Sequence, residues 1–225
     1  MIYLLFVFIA ALSTVAVIYL GSLKGVVDTG KFNIYKPCEE EVTPYKGKSL
    51  ILLTIICFVL ALATQISLYM NTSVVNFIKL FGMFVIVFSA GVIDSKRRII
   101  PNLLIIIGLI FRAGIYIYEI FFATGEIKSI VTNDLIGFAI GFVFLAAVSL
   151  ISKGALGFGD AKLFGVIGLT CGSFCTYSTL LVSLVISAVI SVINIARKKM
   201  GRKDSFPFGP CITAGYIIIV LLTSY

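Results

Sequence analysis

Carboxylates are the groups in this sequence best suited to acid–base chemistry: the chain has ten Asp and Glu, no His, and five Cys without the spacing of a disulfide framework or a zinc site. The missing imidazole removes Ser/His and Cys/His catalysis together with the commonest metal ligand. No metal is therefore expected, and hydrolytic chemistry falls to carboxylate, lysine or tyrosine. Asp28, Glu39, Glu40, Glu41, Glu126 and Asp204 lie in polar segments and read as solvated charges. Glu119 and Asp134 fall near the outer ends of apolar runs, where interfacial anchoring suits them or, for Asp134 after Asn133, a helix cap. Asp94 and Asp160 differ. Asp94 closes the apolar run 82–93, and Asp160 stands between Gly159 and a new apolar run at Ala161. An ionisable group at such a boundary is costly unless it has a partner or a task.

Two carboxylates brought to one depth by different helices can share a proton, because like charges a few ångströms apart do not both ionise easily. One then serves as general base on a water while its protonated partner polarises a scissile carbonyl. Amide hydrolysis without histidine or metal needs that division of labour. A plainer alternative stays open at this point: Asp94 pairs with a nearby cation such as Lys96 or Arg97, and Asp160 caps a helix. The run Gly157-Phe158-Gly159-Asp160 weighs against a plain cap, because two glycines permit backbone conformations and close approaches that a side chain blocks.

The elements that must position these residues are apolar. Of 225 residues, 60% are hydrophobic and 12% charged, against about a quarter charged in a soluble domain. Apolar runs recur at about the 20 residues that a bilayer-crossing helix needs. They predict an all-α integral membrane protein, a polytopic bundle of about eight transmembrane helices near 1–21, 49–70, 75–93, 101–122, 133–152, 162–174, 176–196 and 209–224. The sixth and seventh share one apolar stretch, divided at Cys171-Gly172-Ser173-Phe174-Cys175-Thr176. The whole of 1–225 reads as a single membrane domain, with a short cytoplasmic loop at 22–48 that is too small to bury a core.

With the N-terminus outside, eight alternating spans put 15 of the 18 Lys and Arg on the cytoplasmic side, as the positive-inside bias requires. Merging spans six and seven would move the basic cluster 197–203 outside. The same bias accounts for the net charge of +8 without any nucleic acid, so lipid is the expected surrounding. The first run lacks the basic start and small-residue cleavage site of a secretory signal. Cys171 and Cys175, four apart on one helix face, read as packing, as do the pairs Gly137/Gly141 and Gly168/Gly172.

Gly157-Phe158-Gly159-Asp160-Ala161-Lys162 resembles the GxGDxK signature of type IV prepilin peptidases, the G-x-G-D class of membrane aspartyl proteases. Upstream, Asp94 is followed by Pro101 and Asn102 in a stretch that resembles the family's first catalytic aspartate and the proline of the next helix. Phe206-Pro207-Phe208-Gly209-Pro210 resembles the family's Pro-Phe-Gly-Pro segment, so the likeness runs from about Gly82 to Tyr225. It implies that Asp94 and Asp160 are the catalytic pair, working at the cytoplasmic face of the cell membrane. It implies also that Gly157, Gly159, Lys162, Pro101 and Asn102 shape the site or bind substrate. The expected substrates are type IV prepilin or pseudopilin precursors, whose short basic leaders are cut from a hydrophobic helix.

Proteolysis of this kind needs no cofactor. Many bacterial members also carry two CxxC pairs in the first cytoplasmic loop and methylate the new N-terminus with S-adenosylmethionine. Here Cys38 stands alone in that loop and no nucleotide-binding motif is recognisable, so the resemblance supports proteolysis and leaves methyl transfer open. It does not separate a pilin peptidase from an archaeal preflagellin peptidase. Lys162, two residues past Asp160, turns to another side of its helix and either settles the charge of the site or snorkels to phosphate head groups. For Pro101 and Asn102 a helix start is sufficient.

Two other classes compete. A small proton-coupled transporter would use intramembrane carboxylates as relays and would show inverted repeats with broken helices near the midplane, but no repeat pairs the two halves. A non-catalytic assembly factor would tolerate the loss of either aspartate.

Overall fold

In the apolar runs the backbone satisfies itself, and a computed structural model shows helix throughout the elements it describes. The described residues are 73–122, 127–151, 157–197 and 207–222, with Val15, Leu52, Ile55, Ile56 and Val59 at isolated helical positions. Apart from those five positions, the expected spans 1–21 and 49–70 and the loop 22–48 lie outside the described residues. α1 (Val74–Arg97) starts on Ser73, whose hydroxyl accepts from the Asn76 N–H at 3.4 Å. It stops at Arg98, which adopts the left-handed conformation (φ 53°) and donates its N–H to the Asp94 carbonyl at 2.8 Å. α2 (Asn102–Phe122) follows Pro101, whose fixed φ and missing N–H suit a helix start. The helices α3 (Ile127–Ile151), α4 (Phe158–Ala196) and α5 (Gly209–Leu222) complete the described chain.

Four of these helices are long and apolar enough to cross a membrane, and α5 is shorter. α3 begins at Ile127 and α4 at Phe158, earlier than the apolar runs suggested. The hydrophobic window sees only the hydrocarbon part of a helix, whereas polar residues such as Lys128 and Thr132 continue it into the interface. The Thr132 hydroxyl bonds back to the Lys128 carbonyl at 2.7 Å.

α4 is two limbs. Gly172 has φ 79° and ψ −178°, a conformation that glycine tolerates and a helix does not contain. A Cβ placed on Gly141 of α3 would touch both the Phe164 carbonyl and, at 3.2 Å, the Thr176 methyl. In a straight helix residues 164 and 176 would stand about 18 Å apart. The chain therefore folds back at Gly172, inside the cluster where spans six and seven were expected to divide. Asn133 of α3 braces the turn, its Oδ1 accepting from the Ser173 N–H at 3.2 Å and from the Ser173 hydroxyl at 2.5 Å.

Glycine lets α3 and α4 meet backbone to backbone: a Cβ on Gly137 would lie 2.6 Å from the Gly168 carbonyl oxygen. The core combines Phe84, Val87 and Ala90 of α1 with Leu163 and Ile167 of α4 and Ile212 of α5. Ile106, Ile110, Ile117 and Phe121 of α2 stay exposed, as a lipid-facing helix surface does.

At one end the expectation for Glu119 and Asp134 is corrected. Neither anchors at an interface or caps a helix: they are 5% and 3% exposed. Asp134 lies in the second turn of α3, not at its start. Glu119 pairs with Lys79 and, at 3.1 Å, with Arg112, while Arg112 also binds Asp134. The Tyr116 hydroxyl donates to Asp134 at 2.8 Å, and the Arg112 guanidinium stacks on the Tyr116 ring at 3.6 Å. Three helices are joined there by charges that water does not reach.

Candidate active site

Asp94 lies in the last turn of α1, where the negative end of the helix dipole opposes a carboxylate. It is nonetheless 5% exposed. Its compensation comes from α5, because the Gly209 N–H donates to Asp94 Oδ2 at 2.8 Å. Gly209 is the first residue of α5, so an anion sits at a helix N-terminus. A Cβ on Gly209 would lie 2.7 Å from the Asp94 Cβ, so this approach requires glycine. Thr213, one turn on, bonds the Val87 carbonyl at 3.0 Å, and the Phe164 and Phe208 rings stack at 6.4 Å between α4 and the start of α5.

Asp160 is the third residue of α4 and is 7% exposed. Its carboxyl reaches back to the N–H of Gly157, the N-cap, as the acid of a capping box does. The cap is thus present, but it uses one oxygen: Asp160 Oδ1 is buried with no hydrogen-bond partner among the described residues. A Cβ on Gly157 would crowd Asp160 Oδ2 at 2.8 Å, and one on Gly159 would meet Ile100 at 3.2 Å. The two glycines therefore serve close approach. Gly157 has φ −64°, which any residue adopts, so conformational freedom is not its purpose.

Asp94 is near enough for its charge to bear on Asp160. Arg98 attracts Asp94 from the following turn. Lys162 leaves this pair aside: its ammonium donates to Asn102 Oδ1 at 3.0 Å and lies 5.7 Å from the Phe158 ring. Pro101 is buried before α2 and Asn102 is exposed at its first position. Among the described residues no group of three or more acidic, Cys or His side chains could hold a metal.

Two residues of this arrangement escaped sequence reasoning as individuals. Gly209 was visible only within the Phe206–Pro210 likeness, without a role, and Ile100 is one apolar residue among many.

The helices and the buried acid pair define a class, a polytopic membrane protein with two carboxyls held at helix ends. Residues 80–192, half of the chain, match the type IV leader peptidase family, and the chain belongs to that family. It is 32% identical over 131 residues to a prepilin leader peptidase/N-methyltransferase of Bacillus subtilis (strain 168), covering 58% of this chain and 50% of that protein. Against a protein of the same name from Vibrio cholerae serotype O1 the identity is 30% over 155 residues, covering 67% of this chain and 58% of the relative. The chain thus spans just over half the length of these relatives. No solved structure matches it.

Proposed function

We propose that the protein is a membrane-embedded aspartyl endopeptidase that removes the short basic leader from type IV prepilin or pseudopilin precursors, with Asp94 and Asp160 activating the water. The observation that carries this is the buried pair itself: two carboxyls, the charge of Asp94 bearing on Asp160, whose second oxygen has no hydrogen-bond partner among the described residues. A buried acid left half unsatisfied is costly, and the cost is explained by a reacting water or carbonyl that completes the set.

In this reading the two acids hold one proton between them. The Gly209 N–H and Arg98 support the anion on Asp94, and Asp160 holds the proton. Asp94 takes a proton from water as its oxygen attacks the scissile carbonyl carbon, and Asp160 gives its proton to the carbonyl oxygen. In the tetrahedral intermediate Asp94 returns the proton to the leaving nitrogen as the C–N bond breaks, and Asp160 regains its own when the carbonyl re-forms. Lys96, Arg97, Arg98, Lys162 and Arg197 lie at the helix ends on the side of the aspartates, which supports a cytoplasmic active site in a cell membrane crossed several times. Residues 1–225 are read as one membrane domain.

The names of both relatives also include N-methyltransferase. No step is derived through a methyl donor.

The deciding experiment mixes the detergent-solubilised protein with a prepilin bearing its basic leader and reads the mass of the product. Wild type should lose the leader, whereas Asp94→Ala and Asp160→Ala should not. Processing by either variant at the wild-type rate would overturn the pair, and an added methyl group would restore the second activity.

A further inference from the structure

Lys162 and Asn102 each forgo a better local use. A cation near the start of α4 opposes the helix dipole, and the amide oxygen of Asn102 could have bonded the free N–H groups at the start of its own helix. They meet each other instead at 3.0 Å, across 60 residues of chain. The strap they fasten is short. Residues 98–101 join the end of α1, with Asp94, to the start of α2, and Ile100 of that strap is buried against Gly159. The strap is thus attached to the start of α4 on both sides of Pro101, by packing at Ile100 and by a hydrogen bond at Asn102. Asp160 lies between the two points of attachment on α4, Gly159 and Lys162.

From this geometry we infer that Lys162 and Asn102 are positioning residues, a latch that sets the separation of Asp94 from Asp160. The inference rests on the reading of those two aspartates as the working pair. The latch touches neither the water nor the scissile bond. When it opens, the end of α1 is free to drift from α4, and the pair loses the spacing at which it can share a proton and a water. The latch sets the spacing of the reacting acids and holds no part of the substrate, so it bears on turnover rather than on capture.

The test compares wild type, Lys162→Met, Asn102→Leu and the exchanged pair Lys162→Asn with Asn102→Lys, using a prepilin substrate. Each single variant should lower kcat about tenfold and leave KM within about twofold, since an ångström of misplacement is enough to cost that much or more. The exchanged pair, which restores one donor and one acceptor, should recover kcat to within about threefold of wild type. Single variants with wild-type kcat, or an exchanged pair no better than its parents, would overturn the latch.

A second measurement needs no activity: Asp94→Cys with Asp160→Cys in the full-length chain, treated with a mild thiol oxidant, the cross-linked peptide followed by mass. Its formation should slow severalfold when Lys162→Met is added, and an equal rate would overturn the latch. A slowed cross-link in a protein that cleaves no prepilin would retain the latch and reject the peptidase reading.

Discussion

The bundle buries two acids at each of two places, and their partners could hardly differ more. Glu119 and Asp134 are held by Lys79, Arg112 and the Tyr116 hydroxyl, two negative charges against two positive ones. Asp94 and Asp160 have backbone N–H groups and each other, with one oxygen left over. Similar burial therefore does not mean similar purpose. Where cations match the acids, ion pairs fasten helices together. Where they do not, the fold carries an expense of several kcal/mol per desolvated ion that a reacting molecule relieves.

This contrast makes opposite predictions for the two places. Asp94→Asn or Asp160→Asn should lower leader cleavage by about a thousandfold or more, as the loss of a general acid or base does. Either change should leave the melting temperature in detergent at or above the wild-type value, because an amide of the same size replaces a carboxyl that no ion pair among the described residues fastens to another helix. A variant that kept its activity, or that melted well below wild type, would erase the distinction. Arg112→Leu should do the reverse. It strands the buried Asp134 with only the Tyr116 hydroxyl and should cost about 3–5 kcal/mol of stability, while the molecules that stay folded cleave at close to the normal rate. An unaltered melting curve would show that the cluster does not fasten the helices.

Smaller effects sharpen the chemical end. Gly209→Ala drives a methyl into Asp94 and should reduce kcat about a hundredfold through misplacement of that carboxyl, read from initial cleavage rates. Gly159→Val should cost about tenfold, again in kcat, because the added branches press on Ile100 at the strap rather than on Asp160 directly. Membrane insertion, followed by the amount of protein in the bilayer fraction, should be unchanged in both. Normal turnover in Gly159→Val would remove the reason for that glycine.

Much of the fold is written in the apolar runs, because in lipid a long apolar segment has little choice but helix. The turn at Gly172 was marked by small and polar residues inside one such run. Asp94 and Asp160 stood out because each ends or opens a run, and both lie where the helices put them together. The cluster around Arg112 was missed although its signal was present: Lys79, Arg112 and Lys128 are the basic residues that the positive-inside count left over, and two of those three are buried in it. A cation in mid-span demands acids at matching depth, and Glu119 and Asp134 were the acids to hand. Gly209 was less accessible, since no local pattern announces that a backbone N–H will meet a carboxylate 115 residues away. The latch has the same character, a bond between two helix starts that share no periodicity.

The distance in sequence between Asp94 and Gly209 also orders events during synthesis. Ribosomes deliver α1 to the membrane first and α5 last among the described helices, so the carboxyl of Asp94 must wait for its donor until 115 further residues have emerged. Until then α1 carries an acid near its end with no N–H from α5 to hold it in place. On the proposed reading the acid pair is thus incomplete in the newborn chain, and a copy stalled before Gly209 should cleave no leader.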